Sequence, residues 1–455
     1  MMLADGDDAV STAARVRVVV LNFNGGVLTL KCLRHLRNLD WPAAQLEIVC
    51  VDNASTDGSV EAIRGEFPEV EIRQTGSNLG FPANNLAMSD LQGVDYVALL
   101  NNDAYVEPEW LSALAETMEG SPELGAVCSK LLLAPKFTDV VVDSPAFETG
   151  PGDTRVLGVM LRGVQVDGVD VWRDAHVGEG GWGREADWRG TFEWMGPHGV
   201  VRVPFEPGTT PKNATLFFDS PVPTTVTVDG GTGPMAVAVD SGRSFVTVGL
   251  SPKPYDVVNN VGSIVFEDGA GADRGWLARD DGSFDEPEDV FAWCGGSVLL
   301  RPAYLEDVGL LDERFFLYYE DTDLSWRGRA RGWRYCTAPK SVARHVHAAS
   351  SGEGSETFAY FVERNRLLML VKNAPSDMAM NQIWRYLLST LSYARRDIVR
   401  PVMRLKRPRL TIVRRRLGSF LGFLKLLPAM IGTRRRLRST QLVPDAELAE
   451  WFVKR

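Results

Sequence analysis

Three apolar segments near the amino terminus each run straight into a polar cluster, and this constrains the fold more than any other feature. Residues 16–21 end in Asn22-Phe23-Asn24, residues 46–51 in Asp52-Asn53-Ala54-Ser55-Thr56-Asp57, and residues 96–100 in Asn101-Asn102-Asp103. A shorter strand signal at 70–74 leads to Asn78-Leu79-Gly80-Phe81-Pro82-Ala83-Asn84. Helical spacing fills the intervals: Gly25-Gly26 breaks the chain before 27–36, a short helix runs to about Gly65, and Pro108 stands at a favoured first helical position. Continuous apolar strands alternating with helices predict an α/β fold with a mostly parallel sheet covered on both faces. Functional loops of such a sheet gather at the carboxyl ends of the strands, so the polar clusters share one rim.

The pattern breaks at about residue 143. From 144 to 256 the chain shows short alternating runs separated by turns such as Asp229-Gly230-Gly231, which predicts an inserted all-β sandwich-like domain. Its rings Trp172, Trp182, Trp188, Phe192 and Trp194 read as the core of that domain, with stacking on sugars as the other reading. The α/β pattern returns over 257–372, and 373–455 reads as a helical, basic tail. The expected division is therefore 12–143, 144–256, 257–372 and 373–455.

Charge decides which partners are excluded. The chain has 49 basic and 59 acidic residues, yet residues 395–438 carry fifteen basic residues against one acid, Asp397. An acidic body excludes general nucleic-acid binding. Arg414-Arg415-Arg416 and Arg434-Arg435-Arg436 flank the apolar stretch 417–431, which is too short to span a bilayer and contains Lys425 and Pro428. This predicts contact with an anionic membrane surface, the other reading being a solvated helix face packed on the body. Five cysteines without a CxxC pair exclude a disulfide scaffold or zinc ribbon and fit a reducing compartment. Residues 1–10 are acidic and predict no secretory leader. The expected location is cytoplasmic, peripheral at the inner face of the cell membrane.

Chemistry concentrates in the second half. Glu320, Asp321 and Asp323 open a helix, more carboxylates than capping requires, and one of them suits a general base. His345 and His347 lie two apart on a strand and so on one face, which points to metal or phosphate contact. No GxxxxGK[ST] or GxGxxG turn follows the first strand. A diphosphate on this rim needs a carboxylate-held cation, for which Asp103 is best placed.

In order, Val19-Val20-Leu21-Asn22-Phe23-Asn24-Gly25, the 51–58 segment, Asn78-Leu79-Gly80-Phe81 with Asn84, Leu99-Leu100-Asn101-Asn102-Asp103 and the 315–327 segment resemble glycosyltransferase family 2, and most its rhamnosyltransferase-like branch. The resemblance covers roughly residues 15–143 and 257–372. It implies a GT-A fold, a divalent metal (Mn²⁺ or Mg²⁺) and inversion at the anomeric carbon. The implied donor is a nucleotide-sugar: dTDP-rhamnose, a UDP-hexose or UDP-galactofuranose. The implied acceptor is a hydroxyl of a glycan or lipid-linked molecule, in cell-surface polysaccharide or cell wall synthesis. Donor contacts fall on Asn22, Asn24, Asp52, Asn53, Asp57, Asn78, Gly80, Phe81, Asn84, Asn101 and Asn102. Asn101 replaces the first Asp of the family's DxD, leaving Asp103 as the metal ligand with His345, and His347 in reserve. Asp321 is the implied base, with Glu320 beside it. Acceptor contacts fall on Trp293, Gly295, Gly296, Asp323, Trp326 and Arg327. The alternative class is a non-catalytic carbohydrate-binding protein on a transferase scaffold. A nucleotidyltransferase would want a basic, Gly-rich loop after the first strand, and there is none.

Overall fold

A computed structural model describes residues 13–147, 154–240, 242, 244–346 and 355–454. The chain forms two compact units. One comprises Met1–Leu132, Asn259–Trp276 and Gly282–Arg455; the other comprises Leu133–Val258 and Leu277–Asp281.

The main sheet of the first unit contains β1 (Val16–Asn22), β2 (Leu46–Asp52), β3 (Glu71–Gln74), β4 (Tyr96–Asn101), β5 (Ala104–Val106), β6 (Leu124–Leu133), β7 (Ser297–Leu300) and β8 (Arg334–His345). Their spatial order is β3-β2-β1-β4-β7-β6-β8-β5. β1 is parallel to β2 and β4, and β2 to β3, while β7 runs antiparallel to β4 and β6. The chain steps outward from β1 to β3 and then crosses back to β4. The carboxyl ends of β1, β2 and β4 therefore border a crevice at the reversal point. The register places Asn22 beside Asp52 and Leu21 beside Asn101.

Alternation along β1 explains why both sheet faces are covered. Val16, Val18 and Val20 pack with Cys32, Leu33 and Leu36 of helix α1 (Gly26–Arg37), Ile63 of α2 (Ser59–Glu66) and Trp110 and Leu114 of α3 (Trp110–Glu119). Val19 joins Val49, Val51, Val97 and Leu99 on the other face, against Trp293, Tyr304 and Leu324. Each such buried aliphatic side chain contributes about 1.5–3 kcal/mol before entropy is charged. Arg17 interrupts the strand's apolar run, and its buried guanidinium is matched by Glu47 at 3.1 Å and Asp90 at 2.8 Å.

Helices α4 (Glu320–Ala330), α5 (Glu356–Asn373), α6 (Ser376–Ala394) and α7 (Thr411–Thr440) complete this unit. Phe315 and Trp326 share a core with Leu367, Leu370, Phe423 and Met430. Helix α7 packs closely on α5 at Gly422, where a Cβ would fall 2.4 Å from the Tyr360 hydroxyl. The expected apolar tail thus has two faces. Phe423 and Met430 are buried, whereas Leu417, Leu421 and Leu424 are exposed.

The second unit is a sandwich. One sheet runs through His198–Phe205, Lys136–Asp143 and Thr224–Asp229, the other through Gly190–Met195, Met160–Val166 and Asn213–Asp219. Lys136–Asp143, which the sequence pattern groups with the preceding α/β segment, pairs along its length with His198–Phe205. The chain accordingly passes into the second unit at Leu133. The core is aliphatic, with Val140, Leu161, Val203, Leu216 and Val228 among its members. The aromatic group contributes to it only in part: Trp172 packs against it and Phe192 is buried, but Trp182 is exposed and Trp188 is 88% exposed.

Candidate active site

The first polar cluster is an internal lattice. Asn22 is fully buried at the end of β1, and its Nδ2 lies within hydrogen-bond distance of Asp52 Oδ1 (3.2 Å), Ser55 Oγ (3.0 Å) and Ser59 Oγ (2.9 Å). Its Oδ1 accepts from the Gly25 amide and the Thr29 hydroxyl. Every polar atom of Asn22 is committed to protein, so it shapes the turns and does not touch a ligand. Asn53, also buried, donates to Asn78 Oδ1 at 2.9 Å and to the Gly80 carbonyl, and accepts from the Leu79 amide. Asn84 donates to the Phe81 carbonyl and is buried. Asn22 and Asn53 spend their amides on fixing the loops at the strand ends, whereas Asn84 Oδ1 has no partner among the described residues. Asp52 is buried beside them, with Gln74 Nε2 3.5 Å away. On the exposed rim stand Asn24, which accepts from the Thr56 amide, Asp57 and Asn78. Against the cost of partial burial, hydrogen bonds from Ser59 and the Gly26 amide hold the Asp57 carboxyl below the usual aspartate range.

Two glycines knit this rim to the second half of the unit. Gly80 has φ of 71°, and a Cβ there would fall 1.8 Å from the Phe316 carbonyl oxygen, which accepts from the Phe81 amide at 2.8 Å. At Gly295 a Cβ would fall 2.6 Å from the Phe81 ring. Gly295 also donates its amide to Asp321 Oδ2 at 3.2 Å, and the Gly296 carbonyl accepts from the Asn101 amide. Sequence-distant motifs thus converge on one place.

At the end of β4, Asp103 Oδ1 lies 3.0 Å from His345 Nε2, and Asn101 Nδ2 lies 3.3 Å from the same nitrogen. Asn259 Oδ1 sits 2.9 Å from His345 Nδ1 and orients the ring. Asn102 turns away to donate to Thr29. Among the described residues no group of three His, Cys, Asp or Glu side chains converges to cage a metal ion. The Asp103–His345 pair is nevertheless a suitable donor set for a cation that takes its remaining ligands from water and phosphate oxygens. His347 lies outside the described residues.

The third element is the loop before α4. Phe316, Tyr318 and Tyr319 adopt left-handed φ values of 67°, 69° and 71°, a conformation that costs non-glycine residues about 1–3 kcal/mol each. Buried Asn365 of α5 holds it: Nδ2 lies 2.8–2.9 Å from the carbonyls of Phe315, Leu317 and Tyr318. The loop presents Asp321, whose Oδ1 accepts from the Thr322 amide and hydroxyl. Burial raises the Asp321 carboxyl above the usual aspartate range despite these donors. Sequence reasoning missed Asp273, which receives a 2.6 Å hydrogen bond from Asn260 and stays open to solvent. Protein packed around one side of it, and then the charge of Asp321, push its carboxyl up against the Asn260 hydrogen bond. Burial, and then the charges of Asp273 and Asp321, raise the Cys294 thiol well above its usual range, which disfavours the nucleophilic thiolate.

Glu320 is buried, and its Oε2 has no partner among the described residues. Burial, and then the adjacent Asp321 charge, raise its carboxyl well above the usual glutamate range. A raised folded-state pKa gives stability that is complete below the unfolded value and is lost as pH rises through the folded one. Glu320→Gln is therefore expected to gain stability over wild type as pH rises from 5 to 8. Thermal melts at both pH values check this, and a pH-independent difference would contradict it.

Four of the expected acceptor contacts are corrected. Trp293 is fully buried beneath the sheet, its indole nitrogen 3.3 Å from the Tyr304 hydroxyl, and Trp326 is core. Asp323 is fully buried, paired with Lys372 at 2.7 Å and Arg327 at 3.0 Å, and bonded to Asn373. Arg327 donates its remaining N–H groups to the Val308 and Leu310 carbonyls. These side chains bind α4 to its surroundings and present nothing to a ligand.

The profile described as Glycosyl transferase family 2 matches residues 17–132. An uncharacterized glycosyltransferase of Mycoplasma pneumoniae is 26% identical over 110 residues, covering 23% of this chain and 37% of the relative. The N-acetylglucosaminyl-diphospho-decaprenol L-rhamnosyltransferase of Mycobacterium tuberculosis is 39% identical over 66 residues, 14% of this chain and 22% of the relative. The chain thus spans well under half the length of these curated relatives. Among solved structures, a Pyrobaculum calidifontis mannosyltransferase in complex with GDP-Man and Mn²⁺ aligns at 14% identity and a TM-score of 0.38, covering 97% of this chain and 79% of its own.

Proposed function

We propose that this chain, whose residues 17–132 match the Glycosyl transferase family 2 model, is an inverting, metal-dependent transferase of that family that moves a sugar from a nucleotide-sugar to an acceptor hydroxyl. The observation that carries the reading is that Asn101 at the end of β4, the Asp103–His345 pair and Asp321 are tied together through Gly295 and Gly296. The rim formed by Asn24, Asp57 and Asn78, with Asp52 buried beneath it, would receive the nucleoside. Asp103 and His345 would hold the divalent cation, which offsets charge on the departing diphosphate. Asn259 fixes the imidazole so that Nε2 faces that charge. Asp321 Oδ2 takes the proton of the attacking hydroxyl, and its raised pKa makes it a better base than an ordinary aspartate. Attack from the face opposite the leaving group inverts the anomeric centre. Asp273, open to solvent, accepts hydrogen bonds from sugar hydroxyls.

The donor reading is dTDP-rhamnose or a UDP-sugar, and the acceptor a glycan or lipid-linked molecule of cell-surface polysaccharide synthesis. The rhamnosyltransferase relative supports the first choice. The basic C-terminal region would keep the protein peripheral at an anionic membrane surface; among the described residues no helix is long and apolar enough to cross one. Calorimetry with a panel of nucleotide-sugars, with and without Mn²⁺, tests the reading, and folded protein that binds none of them would overturn it. Asp103→Ala is expected to weaken donor binding about 10-fold or more in Mn²⁺ and to change it little in EDTA. Equal loss under both conditions would remove Asp103 as a metal ligand.

A further inference from the structure

We propose that the outer face of α6, together with the basic segment that follows it, is the surface that seats in an anionic lipid headgroup layer. This rests on the reading that the C-terminal region meets a membrane, and it moves the apolar contact from residues 417–431 to residues 380–410. Met380, Trp384, Leu388 and Leu391 are 66%, 60%, 47% and 66% exposed. Their spacing of four, four and three puts them on one side of α6. The opposite side, with Ala379, Gln382, Tyr386 and Thr390, is buried against the protein. An amphipathic helix with its apolar side outward has no soluble-protein rationale unless something covers it.

The charge next to this face identifies the cover. The helix continues through a π turn at Arg395–Val399 and ends at Met403. Met403 is 79% exposed, and Leu405, with φ of 55°, is 98% exposed at the following bend. Residues 395–409 contain seven basic side chains and one acid, Asp397, which Arg396 pairs at 2.7 Å. Two copies of such a segment repel each other, whereas a sheet of lipid phosphates attracts it at close range. Exposed apolar side chains with a tryptophan, rimmed by arginines, form the pattern of a helix lying in the interface plane.

The test is sedimentation of the full chain with vesicles of phosphatidylcholine alone and of phosphatidylcholine with phosphatidylglycerol. Wild type is expected to bind only the anionic vesicles. The double variant Trp384→Ser, Leu391→Ser should lose about tenfold or more in affinity while donor binding is unchanged. Leu421→Ser on α7 should bind as wild type. If Leu421→Ser loses binding and the double variant keeps it, this proposal fails while the membrane reading stands. No wild-type binding to either vesicle overturns both. A dimer in ultracentrifugation that the double variant dissociates assigns the face to a second copy and also overturns the proposal.

Discussion

Asp321→Asn is expected to reduce sugar transfer by about 10²–10⁴-fold, the range that a positioned general base supplies. Donor affinity should stay within a few-fold of wild type. The variant keeps the size of the side chain and removes the atom that accepts the proton. One local cost follows from the geometry. Both carboxylate oxygens accept backbone amides, from Gly295 and Thr322, so the Asn amide must turn one N–H toward a donor. Such a clash costs about 1–3 kcal/mol of stability and does not reach the donor rim. In the wild type, the raised carboxyl should place the acidic limb of the pH–rate profile above the pKa of 3.8 of an ordinary aspartate, because the base works only when deprotonated. Asp321→Asn should lose that limb. Loss of donor binding equal to the loss of transfer would sink the assignment, as would a wild-type profile flat down to pH 4.

The structure also shows which parts of this site a sequence can disclose. The strands β1, β2 and β4 are legible because each is a short apolar run that stops at a polar residue, and burial on both faces demands that pattern. The partner of a strand is not legible. Lys136–Asp143 looks like any half-buried strand, and only its pairing with His198–Phe205 assigns it to the inserted unit. Asp323 and Arg327 are misleading because they neighbour Asp321 in sequence. A helix turns about 100° per residue, so Asp323 points about 200° away from Asp321, into the interior and toward Lys372. Asp273 is hidden for the opposite reason. It lies in a turn-rich stretch, and the group that fixes it, Asn260, sits 13 residues earlier. Buried amides such as Asn22 and Asn53 read as ligand contacts because a sequence does not reveal that their hydrogen bonds are already used.

Asn365 is the strongest instance, and its replacement is the second large effect. An asparagine in the middle of α5 looks like an ordinary solvated position, yet its three carbonyl partners come from residues 47–50 places earlier. Those carbonyls belong to the loop whose left-handed residues Phe316, Tyr318 and Tyr319 set the entry angle of α4, and hence the position of Asp321. The same loop accepts the Phe81 amide through Phe316, so it also registers the donor rim against the base. Asn365→Leu fills the space but takes the side-chain donor from the Leu317 and Tyr318 carbonyls, at about 1–3 kcal/mol for each that finds no other partner, while the Phe315 carbonyl keeps the Arg364 guanidinium. The loop then relaxes toward ordinary backbone angles, and a shift of about 1 Å in the base costs about 100-fold in rate. The expected result is a folded protein with a lowered melting temperature, kcat reduced about 100-fold and the donor KM changed only a few-fold. Asn365→Asp should be no better, because it keeps the shape but aims a carboxylate at three carbonyl oxygens. A merely structural role would lower stability and leave kcat intact at temperatures where the variant is folded. That outcome, measured below the melting transition, would remove Asn365 as the residue that positions the base.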